Sequence, residues 1–476
     1  MSNVRTRFAP SPTGYLHVGG VRTALFAFLL ARQAGGQFIL RLEDTDQKRE
    51  VEGAKEHLIK SLNDLGLNYD EGPDKPGQYG PYVQSQRLDI YKTWANKLIE
   101  KSRAYVDPYS PEEVQAFRED AKNNKQPFLY RNHRPDQQLD WDGSKPLRFK
   151  SDPKNYSWKD AVMGDLSSGP EVIDDFVLMK SDGFPTYNFA HIVDDHEMKI
   201  SHVLRGQEFL SSVPNYLNLY EALEIEMPIL ATMPHILAES GQKKLSKRDG
   251  AKDVLEYIAE GYLPDALISF IASLGWNDGT TQEIFTRHEL IEKFSLDRVQ
   301  KSGARFDEAR LIWINGSLIR QMQPDDLYKE CELYWPEEAT TYDRDYKKKV
   351  LALIQERLKY FSELADLSRF FFKDLPLNPD LISSNKQLKK LPTPELHKLL
   401  EVSLNELRES DFLLSDLETR LNQLLEKTNQ KPAVLFSLIR IATTQSPASP
   451  GLAESMAVLG KEVCLRRIEA QLATLK

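Results

Sequence analysis

The stretch "VRTRFAPSPTGYLHVGGVRTALFAFLLARQAGGQFILRL", residues 4–42, decides the fold. "VRTRFAP" reads as a short strand stopped by proline. "GGVRTALFAFLLARQAGG" then sets Val21, Leu25, Phe28 and Leu29 at helical spacing and ends on a Gly-Gly stop. "QFILRL" alternates as a second strand, and "REVEGAKEHLIKSLNDLG" (49–66) is a second amphipathic helix. Strand, helix, strand, helix within 66 residues is the opening of an α/β domain with a parallel sheet.

Outward from that opening the texture changes. Between residues 105 and 180, prolines, aromatics and mixed charges ("DPYSPEEV", "QPFLYRNHRPDQQLDWDG") predict an insertion. The α/β pattern returns in "DGFPTYNFAHIVDDHEMKISHVLRGQEFL", continues through a helix near 210–223, and ends at "MPHILAE". Beyond residue 322 the chain reads as almost wholly helical. "VLALIQERLKYFSELADLSRFFF" repeats apolar residues at 350, 354, 358, 361, 364 and 367, and "DLETRLNQLLEKTN" and "MAVLGKEVCLRRIEAQLATL" behave alike.

The bulk numbers bound what such a chain does. At 476 residues it exceeds one ordinary core, and 41% hydrophobic with 28% charged residues is a globular composition. Two isolated cysteines, Cys331 and Cys464, exclude a disulfide framework and a cysteine-rich zinc module, and suit a reducing compartment. The N-terminus lacks the apolar run of a signal peptide, and no segment approaches 18 consecutive apolar residues, so no membrane span is expected. Against a net charge of −9, "KKLSKRDG" (243–250) stands out: Lys243, Lys244, Lys247 and Arg248 crowd four cations into one short segment. Taken alone it reads as a solvated basic loop, the usual fate of charge runs.

"APSPTGYLHVGG" (9–20) joins the first strand to the first helix. Ligands of open α/β sheets collect at strand carboxyl ends, where a helix N-terminus offers N–H groups to phosphate. Gly14, Gly19 and Gly20 clear space for a flat base or a phosphate, and His17 can donate to a phosphate oxygen. The stretch is neither G-x-G-x-x-G nor a Walker loop. Alone it is read equally well as a tight turn whose histidine caps the helix. Combined with a lysine-rich loop able to stabilise charge on a pentavalent phosphorus, it points to nucleotidyl transfer.

These residues carry a resemblance. "PSPTGYLHVGG" resembles the HIGH signature of class I aminoacyl-tRNA synthetases, and "KLSKR" (244–248) the KMSKS signature. "TRFAPSPTG", "RLEDTD", "SDGFPTYNFAHIVDDHEM" and "FDEARLIWING" are similar to bacterial-type glutamyl-tRNA synthetases, over essentially the whole chain. The resemblance implies a Rossmann-like class I catalytic domain (1–104 and 181–235) with an α/β insertion (105–180) that binds the acceptor end. A KMSKS and stem-contact region (236–322) and an all-α anticodon-binding region (323–476) would follow.

It implies an ATP site of Gly14, His17, Gly19, Gly20, Ile236, Leu237, Lys244, Leu245, Ser246, Lys247 and Arg248, with His17, Lys244 and Lys247 catalytic. Ile236 or Leu237 would lie against adenine. L-Glutamate would be held by Arg7 and Arg205 on the side-chain carboxylate and by Glu43 on the ammonium, with Ala9, Ser11, Tyr187, His191 and Glu208 completing the wall. Two arginines around one acid discriminate against the neutral amide, and in the glutaminyl relatives the counterpart of Arg205 is not arginine. Arg357 matches an anticodon-reading position; alone it is equally a solvated helical arginine.

The resemblance further implies ATP with Mg²⁺, tRNA-Glu as partner, a monomer and a cytoplasmic location; whether tRNA-Gln is charged too stays open. Gly20 and Arg248 depart from the two signatures, as glutamyl members tolerate, and His191 stands where some relatives have asparagine. Some relatives hold zinc through insertion cysteines; "AYVDPYSPEE" and "LYRNHR" have none, so no zinc is expected. The alternative reading is a catalytically silent tRNA-binding or regulatory paralogue.

Overall fold

The computed structural model describes residues 4–245, 252–446 and 448–475. Two compact units emerge: Met1–Ala259 with Pro264–Leu311, and Glu260–Leu263 with Ile312–Lys476.

In the first unit β1 (Arg5–Phe8) leads into α1 (Val18–Gln33), β2 (Gln37–Leu40) and α2 (Ala54–Asp64). The strand–helix–strand–helix opening is therefore present, and β1 pairs with β2 in parallel, Arg7 opposite Ile39. The helix α1 is buried on several faces through Val21, Ala24, Leu25, Phe26 and Phe28, because it packs on the sheet and also against the helices Pro264–Ser273 and Arg287–Lys293. Each buried Leu or Phe contributes about 2 kcal/mol. Its Gly-Gly stop has two causes. Gly35 takes φ +63°, and a Cβ on Gly36 would lie 2.0 Å from the Val4 carbonyl oxygen. The second helix begins only at Ala54, after Gly53 at φ +76°, so "REVE" stays outside it.

Next come α3 (Leu88–Glu100) and the insertion. There β3 (Ala104–Val106), β4 (Leu147–Phe149) and β7 (Val177–Met179) form an antiparallel sheet beside a hairpin of β5 (Tyr156–Asp160) and β6 (Gly164–Ser168). The helix α4 (Pro111–Asn123) opens on a Ser110/Glu113 capping box. The two cysteine-free stretches meet through side chains. Asp107 accepts from Tyr130 Oη (2.5 Å) and Arg148 Nε (2.6 Å), while His133 stacks on Phe117 at 4.2 Å.

The chain returns through α5 (Tyr187–Glu197), β8 (His202–Gly206), α6 (Val213–Leu223), β9 (Ile229–Met233) and a short β10 (Ile236–Leu237). All pairings in the four-stranded sheet β2-β1-β8-β9 are parallel. Its carboxyl ends therefore open on one side, next to the N-terminus of α1.

The second unit is helical, with a core that includes Leu351, Ile354, Leu400, Leu421, Leu438 and Ile468. Two sequence expectations fail within it. The 350–372 run is no single helix: the helix Arg344–Ile354 gives way to a 3₁₀ turn at Gln355–Arg357 and resumes only at Leu364. Tertiary hydrogen bonds win there. Gln355 Nε2 donates to the Ile319 and Met322 carbonyls, Asn315 Nδ2 donates to Lys359 O (2.6 Å), and Phe361 N–H donates to Gly261 O. Near the C-terminus, Gly460 at φ +82° divides the expected helix into Leu452–Leu459 and Lys461–Thr474.

Candidate active site

A cavity of about 790 Å³ opens at the carboxyl ends of the first unit's sheet. On its α1 side it is lined by Gly14, His17, Gly19, Gly20 and Arg22, and across from them by Ile236, Lys244 and Leu245. Its lining also includes the buried Arg7, Glu43 and Arg205, with Ala9, Tyr187 and the exposed Ser11 and Glu208. Two separate sets of sequence-predicted residues thus share one cavity. Two of their members do not line it. Leu237 points across to Gly303, as strand alternation requires once Ile236 faces in, and His191 lies behind the wall, 2% exposed. Ser246, Lys247 and Arg248 fall outside the described residues.

His17 is the N-cap of α1, its Nδ1 accepting from Gly19 N–H at 3.1 Å. A neutral ring that accepts at Nδ1 carries its hydrogen on Nε2, so capping and donation to an anion are compatible. The basic stretch begins on the returning arm of a hairpin: Ala238 N–H donates to Lys243 O and Leu245 N–H to Ile236 O. Lys244 Nζ sits 2.9 Å from Glu208 Oε1. Burial pushes the Glu208 carboxyl up, but its own backbone N–H and Lys244 leave it below the ordinary value. Beyond the undescribed residues the chain comes back to the same turn. Asp253 Oδ2 is 2.5 Å from His57 Nε2, Tyr15 stacks on His57 at 4.4 Å, and Val254 N–H donates to Leu16 O.

Beneath the cavity lies a buried ionic layer that pattern reading missed. Arg41, fully buried, pairs with Glu43 (2.9 Å) and Asp195 (2.8 Å). Asp195 also takes Arg7 Nε at 3.0 Å. Burial would raise Asp195, but Arg7 and Arg41 hold it well below the usual carboxylate range. Glu43 goes the other way: burial pushes it to about 7 despite Arg41 and Arg7. Asp194, next to Asp195, is satisfied by Arg87, Tyr91 and Gln84. The sequence signal for these groups was present: paired aspartates inside the apolar run "AHIVDDHEM", and a lone Arg22 within the apolar face of α1. Arg22 donates to the Pro234 and Leu274 carbonyls, and burial lowers it to about 10.

Arg205 differs from Arg7. It is 7% exposed, and among the described residues no carboxylate pairs with it. Its guanidinium lies 4.8 Å from the Tyr216 ring and 3.4 Å from His191 Nε2. A buried cation without an acid partner, facing a cavity, is a site for an anion.

Known proteins resemble this chain over its whole length. Residues 3–313 match the family described as tRNA synthetases class I (E and Q), catalytic domain, and residues 326–472 match an anticodon binding domain. The chain belongs to the glutamyl-tRNA synthetase family of class I aminoacyl-tRNA synthetases. It is 41% identical to the glutamate–tRNA ligase of Dehalococcoides mccartyi, over 100% of this chain and 98% of that one. To glutamate–tRNA ligase 2 of Caldicellulosiruptor saccharolyticus it is 40% identical, covering 98% of each. A crystal structure of a glutamate tRNA ligase from Elizabethkingia meningosepticum, in complex with its amino acid, superposes with a TM-score of 0.90 at 32% identity over 100% of both chains. The catalytic domain with a parallel sheet and the helical domain after it are those of this synthetase family. No described helix is long and apolar enough to cross a membrane.

Proposed function

We propose that the chain performs its family's glutamate–tRNA ligase reaction in the cavity at the sheet's carboxyl end. The observation that carries the reading is Arg205, a buried guanidinium with no carboxylate partner among the described residues. The γ-carboxylate of glutamate supplies that acid; glutamine would leave the charge unpaired. Arg7, already neutralised by Asp195, adds N–H donors rather than net charge. Glu43 takes the α-ammonium, with Ala9, Ser11, Tyr187 and Glu208 around it. His17, the glycines of the first turn, Ile236, Lys244 and Leu245 receive ATP, and Ser246, Lys247 and Arg248 extend that set.

In the first step the glutamate α-carboxylate attacks the α-phosphorus of ATP, and the bond to the pyrophosphate oxygen breaks. The 2′-hydroxyl of the terminal adenosine of tRNA then attacks the activated carbonyl, and AMP leaves. No side chain becomes a nucleophile; positioning and charge stabilisation by His17, Lys244, Lys247 and helix N–H groups do the work. Magnesium would arrive on the triphosphate, whose oxygens are the hard ligands it takes.

Arg357 reads the anticodon in this proposal. What supports it is a like-charged neighbour: Arg440, which burial and then the charge of Arg357 push below its ordinary value. Two like charges near one another suit a polyanion, although Glu454 offsets part of that charge at Arg440. The test is charging with labelled glutamate on purified tRNA-Glu and tRNA-Gln separately, with glutamine as control. Glutamate on tRNA-Glu alone is the expected result; charging of both would remove the discriminating role from Arg357, and charging of neither would sink the proposal.

A further inference from the structure

The residue His191 sits against the Arg205 guanidinium and is not part of the cavity lining. Both of its ring nitrogens are spoken for. Nδ1 lies 2.7 Å from the carbonyl oxygen of Tyr187, one turn back on the same helix, and a carbonyl only accepts, so Nδ1 carries the hydrogen. Nε2 faces Arg205 Nη1 at 3.4 Å, and a guanidinium only donates, so Nε2 presents its lone pair. The ring is clamped in that orientation, parallel to Tyr187 (centroids 4.7 Å apart, planes at 19°) and edge-on to Tyr216 at 4.7 Å. Tyr216 also presents its ring to the Arg205 guanidinium at 4.8 Å.

We infer that His191 is a positioning residue for amino-acid selection: as a neutral acceptor it fixes the plane of the Arg205 guanidinium, and it does not touch the substrate. This deepens the glutamate reading of the cavity and rests on it. Bidentate recognition of a carboxylate depends on where the guanidinium fork points. Tyr216 sets one face of that fork, and the hydrogen bond to His191 fixes rotation within it. The remaining N–H groups then aim into the cavity before any ligand arrives, an arrangement that lowers the cost of ordering on binding. An imidazolium at this place would set an N–H against an N–H. Burial and the charge of Arg205 oppose it, pushing His191 down to about 3.

The test runs His191→Phe, His191→Asn and Arg205→Ala through ATP–pyrophosphate exchange with tRNA present, from pH 5.5 to 8.5. The phenylalanine keeps the stack and removes the acceptor; the asparagine restores an acceptor oxygen. His191→Phe should raise KM for glutamate about tenfold, the size of one charge-assisted hydrogen bond, and narrow the glutamate-over-glutamine preference. KM for ATP should stay put, His191→Asn should recover most of the loss, and the wild-type to His191→Asn ratio should not vary with pH. An unchanged glutamate KM in His191→Phe, beside a large loss in Arg205→Ala, would overturn the His191 role alone. Equal rises in both KM values would make it merely structural. No effect from Arg205→Ala would overturn the glutamate pocket and this role together. Should His191→Phe fail to fold, ¹⁵N spectra of the wild-type histidines decide: a protonated Nε2 on His191 near neutral pH refutes the proposal.

Discussion

The floor of the cavity and the Arg357 face of the helical unit use the same residue type under opposite conditions. In the first unit Arg7, Arg41 and Arg205 are at most 7% exposed, and two of the three are matched to named carboxylates at 2.8–3.0 Å. In the second, Arg357 is exposed and Arg440 only partly buried, with Ser449 Oγ accepting from Arg440 Nε. Burial makes every unpaired charge expensive, so Arg205, the one of these three without a carboxylate partner among the described residues, reports what it is waiting for. At the surface water pays that cost, and a cation there reports little until RNA displaces the water. A charge is informative about function in proportion to its desolvation.

The strongest way to break this comparison is to remove the two buried arginines one at a time. Arg205→Ala should cost roughly a thousandfold in kcat/KM for glutamate, the scale of a broken buried ion pair. Its melting temperature should hold or rise, because the folded protein loses an uncompensated cation. Arg7→Ala should lower both activity and melting temperature, since Asp195 then keeps only Arg41. Exchange kinetics and calorimetry on the two variants check this. Equal melting losses would mean that Arg205 has a structural partner after all.

Why that asymmetry was invisible in the sequence is physical. The opening strand, helix, strand and helix, and the turn residues Gly14, His17, Gly19 and Gly20, are read from local spacing, because each is positioned by its own element; Arg7, Ala9 and Ser11 come from the resemblance. The partner of Arg7 is Asp195, 188 positions away, and no periodicity links them. Arg205 and Arg7 look alike until the neutralising layer of Arg41, Glu43 and Asp195 is seen. The resemblance puts His191 in the wall, but one turn beyond Tyr187 on the same helix its ring stacks behind that tyrosine at 4.7 Å instead of lining the cavity. In the helical unit the apolar repeat at 350–367 was real, but the backbone at 359–361 bonds to Asn315 and Gly261, and so Arg357 ends on a tight turn instead of a helix.

The surface side of the comparison is sharpened by Arg357→Ala. Charging of tRNA-Glu should fall about tenfold to a hundredfold in kcat/KM for tRNA, with KM for glutamate and ATP unchanged. The slope of tRNA affinity against salt should also become shallower by about one unit if the contact is to phosphate, and stay constant if it is to a base. Loss of glutamate affinity in this variant would contradict the separation of roles between the two units.

The smallest expected effect comes from Glu43, where burial and ligand oppose each other. Its carboxyl is raised from 4.5 to about 7, with burial as the main cause and Arg41 and Arg7 opposing it. An ammonium binds the carboxylate and not the neutral acid. Below about pH 7 glutamate must therefore displace a proton to bind, while above it the site is ready. Affinity is lost as pH falls, so kcat/KM for glutamate should drop about tenfold from pH 8 to pH 6. The maximal rate at saturating glutamate should change much less, because the bound ammonium keeps Glu43 ionised. Glu43→Gln should be weaker throughout and flat over the same interval. A wild-type profile already flat between pH 6 and 8 would mean that Arg41 holds Glu43 ionised in the free protein. The ionic layer would then be fully self-compensated, and Arg205 would remain as the charge that waits for the substrate's side-chain carboxylate.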